Sequence, residues 1–201
     1  MIKLLVLPVF AYALGSIPWG IVLTRPFTSV DIRREGSGNI GATNVVRIAG
    51  PILGILTLVG DMLKGGIPVW IAGVLATPNS FWGEIYISFV ALAAFSGHLY
   101  PVYMRFKKGG KGVATAAGCF AVISPVAFMV VILVFIMFVC WLNIVAVASL
   151  AAAAVLPVAV WKATGSGVLT GCAVVTAILI YFRHTDNIKR LFKGTEPVIW
   201  K

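Results

Sequence analysis

Of 201 residues, 60% are hydrophobic and 11% charged, with a mean hydropathy of +1.03. Globular chains run at about 45–50% apolar and about 25% charged, so this composition excludes a soluble domain. The net charge of +10 would point to nucleic acid in a soluble chain. Here the cations sit on segments between apolar runs, and the expected partner is membrane lipid, not nucleic acid. Cys119, Cys140 and Cys172 lie inside apolar stretches without a C-x-x-C or a paired His cluster. They read as small core residues, with no disulfide framework and no zinc site.

The stretches Leu4–Leu23, Ile67–Phe95, Val113–Trp161 and Ala163–Phe182 are almost free of charge. Each reaches the ~20 residues needed to cross a hydrocarbon core. The first has a single lysine before it, Lys3, and no small-residue exit, so it reads as a retained span and not a cleaved signal. In chain order the predicted spans are Leu4–Leu23, Pro51–Ala76, Trp82–His98, Gly112–Ile123, Pro125–Leu142, Ile144–Trp161 and Val168–Phe182. The fourth is short enough to be a half-helix inside a bundle.

This arrangement places Arg25, Arg33, Arg34, Arg47, Arg105, Lys107, Lys108, Lys111, Arg183, Lys189, Arg190, Lys193 and Lys201 on one side. Only Lys3 and Lys162 fall on the other. By the positive-inside rule the crowded side is cytoplasmic. The expectation is an all-α polytopic membrane helix bundle of about seven transmembrane helices, one domain over 1–201, with the N-terminus outside and the C-terminus cytoplasmic. The outer loops, around Thr77-Pro78-Asn79, Ser124-Pro125 and Thr164-Gly165-Ser166, are short and nearly uncharged. Polar segments with chemical potential therefore share the cytoplasmic face.

Three such segments stand out. The first runs Gly36-Ser37-Gly38-Asn39-Ile40-Gly41-Ala42-Thr43-Asn44 and ends at Arg47. Its G-x-G-x-x-G is not a dinucleotide fingerprint, because that motif follows a strand in a βαβ unit. Glycines that let backbone N–H groups approach an oxyanion, then a helix start and an arginine fork, suit a phosphate. The plainer reading is an interfacial loop with a helix cap.

The second segment runs from Gly97-His98 to Gly112 and contains Lys107, Lys108, Gly109, Gly110 and Lys111. It is not a Walker A motif, since no glycine stands at the needed offset before Gly110-Lys111. Snorkelling lysines alone would explain an anchor, but three glycines weaken an anchoring helix, which favours a phosphate cradle. His98, alone at a span end, reads as structural.

The third, Arg183–Glu196, holds His184 and Asn187 three apart, on one face of a continuing helix. Its plainer reading is a basic tail on anionic lipid. Glu196 suits pairing with a nearby cation. Asp61 and Lys64, three apart within a span, are either a functional intramembrane site or a mutually satisfied pair.

GSGNIGATNVVR, GHLYPV…FKKGGKGVAT and RHTDNIKRLFKGTE, in that order between hydrophobic spans, resemble the bacterial acyl-phosphate:glycerol-3-phosphate acyltransferase family, the PlsY proteins. The resemblance covers the whole chain. It implies a seven-span inner-membrane enzyme, active on the cytoplasmic face, needing no cofactor and no metal. Such an enzyme moves a fatty acyl group from acyl phosphate to the sn-1 hydroxyl of glycerol 3-phosphate, giving lysophosphatidic acid and phosphate. Carried over residue by residue, it implies Ser37, Arg47, Lys111, His184 and Asn187 as catalytic. Asn44, Gly109, Gly110, Gly112, Lys107 and Lys108 are implied as substrate-binding. The family loop has one lysine before its glycine pair, whereas this chain has Lys107 and Lys108.

The residue chemistry agrees with a donor that is already activated. There is no G-x-S-x-G elbow and no His-x4-Asp spacing, since Tyr103 and Lys189 stand where the carboxylates would be. The rival class is a membrane transporter of a phosphorylated metabolite, which would share the cationic vestibule. Against it, the chain shows neither an internal repeat nor paired broken spans in two halves.

Overall fold

The computed structural model describes residues 2–77, 80–107 and 109–199. Lys108, Pro78, Asn79 and Lys201 lie outside them. Among the described residues all regular structure is helical. The chain divides into two compact units, Met1–Val122 and Ile123–Lys201.

The first unit contains α1 (Ile2–Gly15), α2 (Trp19–Thr24), α3 (Ala42–Ala49), α4 (Pro51–Leu75), α5 (Phe81–Leu99) and α6 (Val113–Ile123). Because lipid tails are as apolar as leucine, helices in a membrane associate through close packing of small residues. That is what the glycines do here. A Cβ on Gly15 would strike the Ala94 carbonyl, and one on Gly97 would strike the Tyr12 carbonyl and come within 2.9 Å of the Ser16 nitrogen. The α1 and α5 backbones therefore lie directly on each other. Gly65 of α4 sits against the Thr115 carbonyl and Gly118 of α6 against that of Met62, so α6 is seated on α4 in the same way. Leu7, Ala11, Ala72, Val90 and Ala94 form the apolar centre between α1, α4 and α5.

The second unit contains α7 (Pro125–Leu142), α8 (Val145–Thr164), α9 (Gly167–Arg183) and α10 (Thr185–Phe192). Ser124 caps α7 by accepting the Ala127 N–H, and Ser166 caps α9 by accepting that of Leu169. Ala148, Ala152 and Ala153 of α8 are buried. On α7, Met129, Leu133, Ile136, Met137 and Trp141 are exposed, and a helix apolar on all sides is one that faces lipid.

Four segments are long and apolar enough to cross a membrane: α4, Phe81–Met104, α7 and α8. The pair α9 and α10, bent by 57°, is long and apolar enough only together, which makes five if the pair is counted as one span. One expected span has another form, and the short fourth one is a half-helix as its length suggested. Leu4–Leu23 is not one helix: α1 ends at Gly15 and α2 begins at Trp19, because Pro18 has no N–H to continue the ladder. The expected fourth span is α6, whose 11 residues give about 16 Å of helix, half a bilayer core.

The glycine contacts predict a contrast between two alanine substitutions. Gly97→Ala wedges α1 from α5 and lowers stability by about 1–3 kcal/mol. Gly73→Ala, with nothing within 4 Å of the new methyl, leaves stability unchanged or raises it by up to about 1 kcal/mol through helix propensity. Thermal unfolding of both variants in detergent measures the difference.

Candidate active site

The first motif is a folded loop leading into α3. Ile32, Ile40 and Val45 are buried together and anchor it. Asn44, 2% exposed, organises the polar part. Its Oδ1 accepts the Ser37 N–H at 2.9 Å. Its Nδ2 donates to the carbonyls of Ile32 (3.0 Å), Glu35 (3.2 Å) and Asn39 (2.9 Å). Asn39 in turn accepts the Gly41 N–H at 2.8 Å, just where α3 starts. Gly36 has φ +60°, and a Cβ there would collide with Asn44 Oδ1, so only glycine meets both demands.

Asn44 is thus spent on the loop. Ser37 and Arg47 are exposed, and Arg47 stands three residues after Asn44 on α3, which begins its next turn. At the loop's entrance Asp31 binds Arg33 at 2.7 Å, with Arg34 at 3.8 Å. The hydrogen bonds from Arg33 hold the Asp31 carboxyl well below the usual carboxylate range. A carboxyl lowered on folding contributes order that is complete above its free value of about 3.9 and fades only as pH falls below it. Near neutrality this ion pair is therefore indifferent to pH.

The glycine–lysine loop is built on the end of α5. After a short 3₁₀ turn at Val102–Met104, Arg105 and Phe106 both take the left-handed conformation, φ +53° and +61°. That conformation costs a residue with a Cβ about 1–2 kcal/mol. The Pro101 carbonyl accepts the N–H groups of Met104 and Phe106, each at 3.0 Å, and so locks the turn. The chain then returns over its own helix. Gly110 donates its N–H to the His98 carbonyl at 3.1 Å. A Cβ on Gly109 would strike the Leu99 carbonyl, one on Gly110 the His98 ring, and one on Gly112 the Phe95 ring.

Gly109, Gly110 and Gly112 are buried, whereas Lys107 is exposed and Lys111 half-buried. The glycines are the floor and the lysines are presented from it. Lys108 is not among the described residues.

His98, set aside above as structural, belongs to this floor. Its ring is buried between the loop and Asp61 of α4, with Nδ1 3.6 Å from Asp61 Oδ1. Asp61 and Lys64 are an ion pair at 2.7 Å, with side chains 3% and 1% exposed. Of the two readings left open by their spacing, the mutually paired one is what the fold adopts. The available signal was depth: α4 and α5 are neighbours, and an acid below a histidine at a span end calls for contact.

In the second unit, His184 sits at the bend between α9 and α10, 2% exposed, with Nδ1 2.8 Å from the Ile180 carbonyl. A carbonyl partner puts the proton on Nδ1 and makes Nε2 the basic nitrogen. Asn187, 4% exposed, donates to Glu196 at 2.5 Å, and Arg190 donates to the other oxygen of that carboxylate at 2.8 Å. Glu196 is therefore a structural clasp, as its position among cations led one to expect. Among the described residues no three His, Cys, Asp or Glu gather as a metal site.

The comparisons bear on the chain nearly end to end. The family model for glycerol-3-phosphate acyltransferase matches residues 5–194. The glycerol-3-phosphate acyltransferase of Syntrophotalea carbinolica is 48% identical over 186 residues, 92% of each chain. That of Geotalea daltonii is 48% identical over 194 residues, 96% of each. A crystal structure of PlsY, an integral membrane glycerol 3-phosphate acyltransferase, in its glycerol 3-phosphate form, superposes with a TM-score of 0.91 at 39% identity. It covers 98% of this chain and 95% of that one. The lysophosphatidic acid form of PlsY gives 0.89 at 38% identity. A helical membrane chain bearing all three polar motifs, matched over its length by these relatives, belongs to the glycerol-3-phosphate acyltransferase family.

Proposed function

We propose that this chain transfers a fatty acyl group from an acyl phosphate to the sn-1 hydroxyl of glycerol 3-phosphate, releasing lysophosphatidic acid and phosphate. It does so as one domain over 1–201, in the bacterial inner membrane, with the site on the cytoplasmic face. Seven passages, the N-terminus outside and the C-terminus cytoplasmic, are the topology that goes with this reading. Its main support is the glycine–lysine loop, packed on the end of α5 so that Lys111 stands on a close-packed floor. A phosphate cradle works by such preorganisation.

In the reaction, the glycerol hydroxyl oxygen attacks the acyl carbonyl carbon. The new ester C–O bond forms, the bond from that carbon to the phosphate oxygen breaks, and the phosphate departs with the electron pair. The hydroxyl proton passes to an oxygen of the departing phosphate. The donor is already activated, so no enzyme nucleophile is required. The protein contributes position and charge.

Lys111, with Lys107 and Lys108, neutralises glycerol 3-phosphate over Gly109, Gly110 and Gly112. Arg47 forks onto the donor phosphate, and Ser37 steadies the developing oxyanion. Asn44 acts on substrate through Ser37, since its own amide holds the loop. By resemblance His184 and Asn187 complete the catalytic set. Both substrates are amphiphilic or anionic, and neither calls for a cofactor or metal.

The donor is checked with purified protein in lipid, labelled glycerol 3-phosphate, and palmitoyl phosphate, palmitoyl-CoA or palmitoyl-carrier protein. Product is expected from palmitoyl phosphate alone. No product from any donor turns the loop into the vestibule of a transporter. Ser37→Ala is expected to lower kcat by about 10²-fold, as for an oxyanion donor, at unchanged thermal stability. Asn44→Ala strands several backbone groups and costs about 1–3 kcal/mol of stability as well, so melting curves separate the pair. His184→Gln is expected to keep kcat within about tenfold at saturating substrate. A loss of about 10²-fold or more is what a general base would show.

A further inference from the structure

The reaction as drawn leaves unused the buried polar group beneath the glycine–lysine loop. Lys64 Nζ lies 2.7 Å from Asp61 Oδ1 and also donates to the Ile17 carbonyl at 2.8 Å. His98 Nδ1 lies 3.6 Å from the same Asp61 oxygen. On the ring's other edge, Nε2 is the atom that a Cβ on Gly110 would strike first. The Gly110 N–H returns to the His98 carbonyl at 3.1 Å. One imidazole therefore lies between an intramembrane carboxylate, 3.6 Å from one nitrogen, and the floor of the loop at the other.

A charged pair is an expensive way to hold helices together when packed apolar side chains do it as well. Intramembrane ionisable groups mark functional sites by default. What these groups achieve that leucine could not is directional. A buried carboxylate charge beside one edge of an imidazole favours one orientation of the ring, and the ring's other edge limits how far the Gly110 backbone can settle toward α5. Lys111 is the next residue, so its reach is set by the same contact.

We propose that His98 is a positioning residue for glycerol 3-phosphate, held by Asp61 and acting through the Gly109–Gly112 backbone on the placement of Lys111. The inference rests on the assignment of that loop to glycerol 3-phosphate. It treats Asp61, Lys64 and His98 as one device whose output is the affinity of the cradle, not the chemical step.

The test is steady-state kinetics of the full-length protein in lipid, varying each substrate against saturation of the other. Asp61→Asn and His98→Ala are expected to raise KM for glycerol 3-phosphate on the order of tenfold, the usual cost of a lost supporting contact. The kcat and the KM for palmitoyl phosphate stay close to wild type, the signature of lost ground-state binding.

A double-mutant cycle supplies the readout that general destabilisation would not move. Gly110→Ala collides with the ring in the wild type and should raise the same KM. In the His98→Ala background the methyl has room, and the added effect should vanish. Unchanged KM for glycerol 3-phosphate in both single variants, or equal cost of Gly110→Ala in both backgrounds, overturns the proposal.

Asp61→Asn leaves Lys64 buried without its partner. If that variant does not fold, Asp61→Asn/Lys64→Met removes both charges and carries the same expectation. A wild type that makes no product from any donor sinks the acyltransferase reading instead. The inference is then read from the rise in Tm on adding glycerol 3-phosphate, which the wild type shows and the double variant must lose.

Discussion

A carboxylate and an ammonium, three residues apart in the apolar stretch of α4, tie together three parts of the first unit. Lys64 reaches the Ile17 carbonyl at the break between α1 and α2, and Asp61 reaches the ring at the end of α5. Removing one member of such a buried pair costs about 3–5 kcal/mol, because the other is left uncompensated. Replacing both with apolar residues is often close to neutral. The value of the pair therefore lies in the geometry it imposes. At the break before Pro18 the Ile17 carbonyl accepts the Trp19 N–H at 3.1 Å and keeps a second lone pair, in an apolar environment where polar groups are best fully paired. An ammonium that can leave the helix surface by four methylenes is the side chain able to cover it.

The glycines divide into two kinds of work that lipid makes necessary. Within the helices, Gly15, Gly97, Gly65 and Gly118 let backbones touch where the hydrophobic effect offers no preference for one partner over another. In the loops, glycine lets backbone lie on backbone. The return of Gly109 and Gly110 over the last turn of α5 gives the His98 carbonyl a donor that helix termini otherwise lack. The left-handed turn at Arg105 and Phe106 is the conformational cost of that return. Such strain persists only where surrounding contacts over-determine it, and the two hydrogen bonds to the Pro101 carbonyl do so here.

Long apolar runs made the helices legible, because hydropathy averages over twenty residues and is insensitive to detail. The same averaging hid the break at Pro18, since a proline inside an apolar run changes hydrogen bonding without changing polarity. Motif spacing marked the three polar segments but not which groups their members touch within the fold. Asn44 is assigned to substrate by the family resemblance alone. Its partners at Ile32 and Glu35 follow from how the loop folds back, which no spacing encodes. His98 looked like any interfacial histidine until α4 and α5 were placed side by side. Glu196 was legible, since a single acid in a cationic segment has few other choices.

The first and third motifs turn out to use one device twice. In α3, Asn44-Val45-Val46-Arg47, and in α10, Asn187-Ile188-Lys189-Arg190, an asparagine is buried and an arginine follows one turn later on the same side. Each amide holds a segment distant in sequence: Asn44 gathers the loop that precedes it, and Asn187 holds Glu196 of the tail that follows. A short helix of eight residues is marginal on its own, and the amide converts it into part of a closed circuit. The two arginines differ in exposure. Arg190 is balanced by Glu196 at 2.8 Å and is part of the scaffold. Arg47 is carried exposed on a helix whose loop has already been made rigid. Rigid support beneath an exposed guanidinium is the arrangement that lets a bidentate fork meet phosphate with little loss of entropy. Arg47, given to the donor phosphate in the proposed reaction, draws on that support.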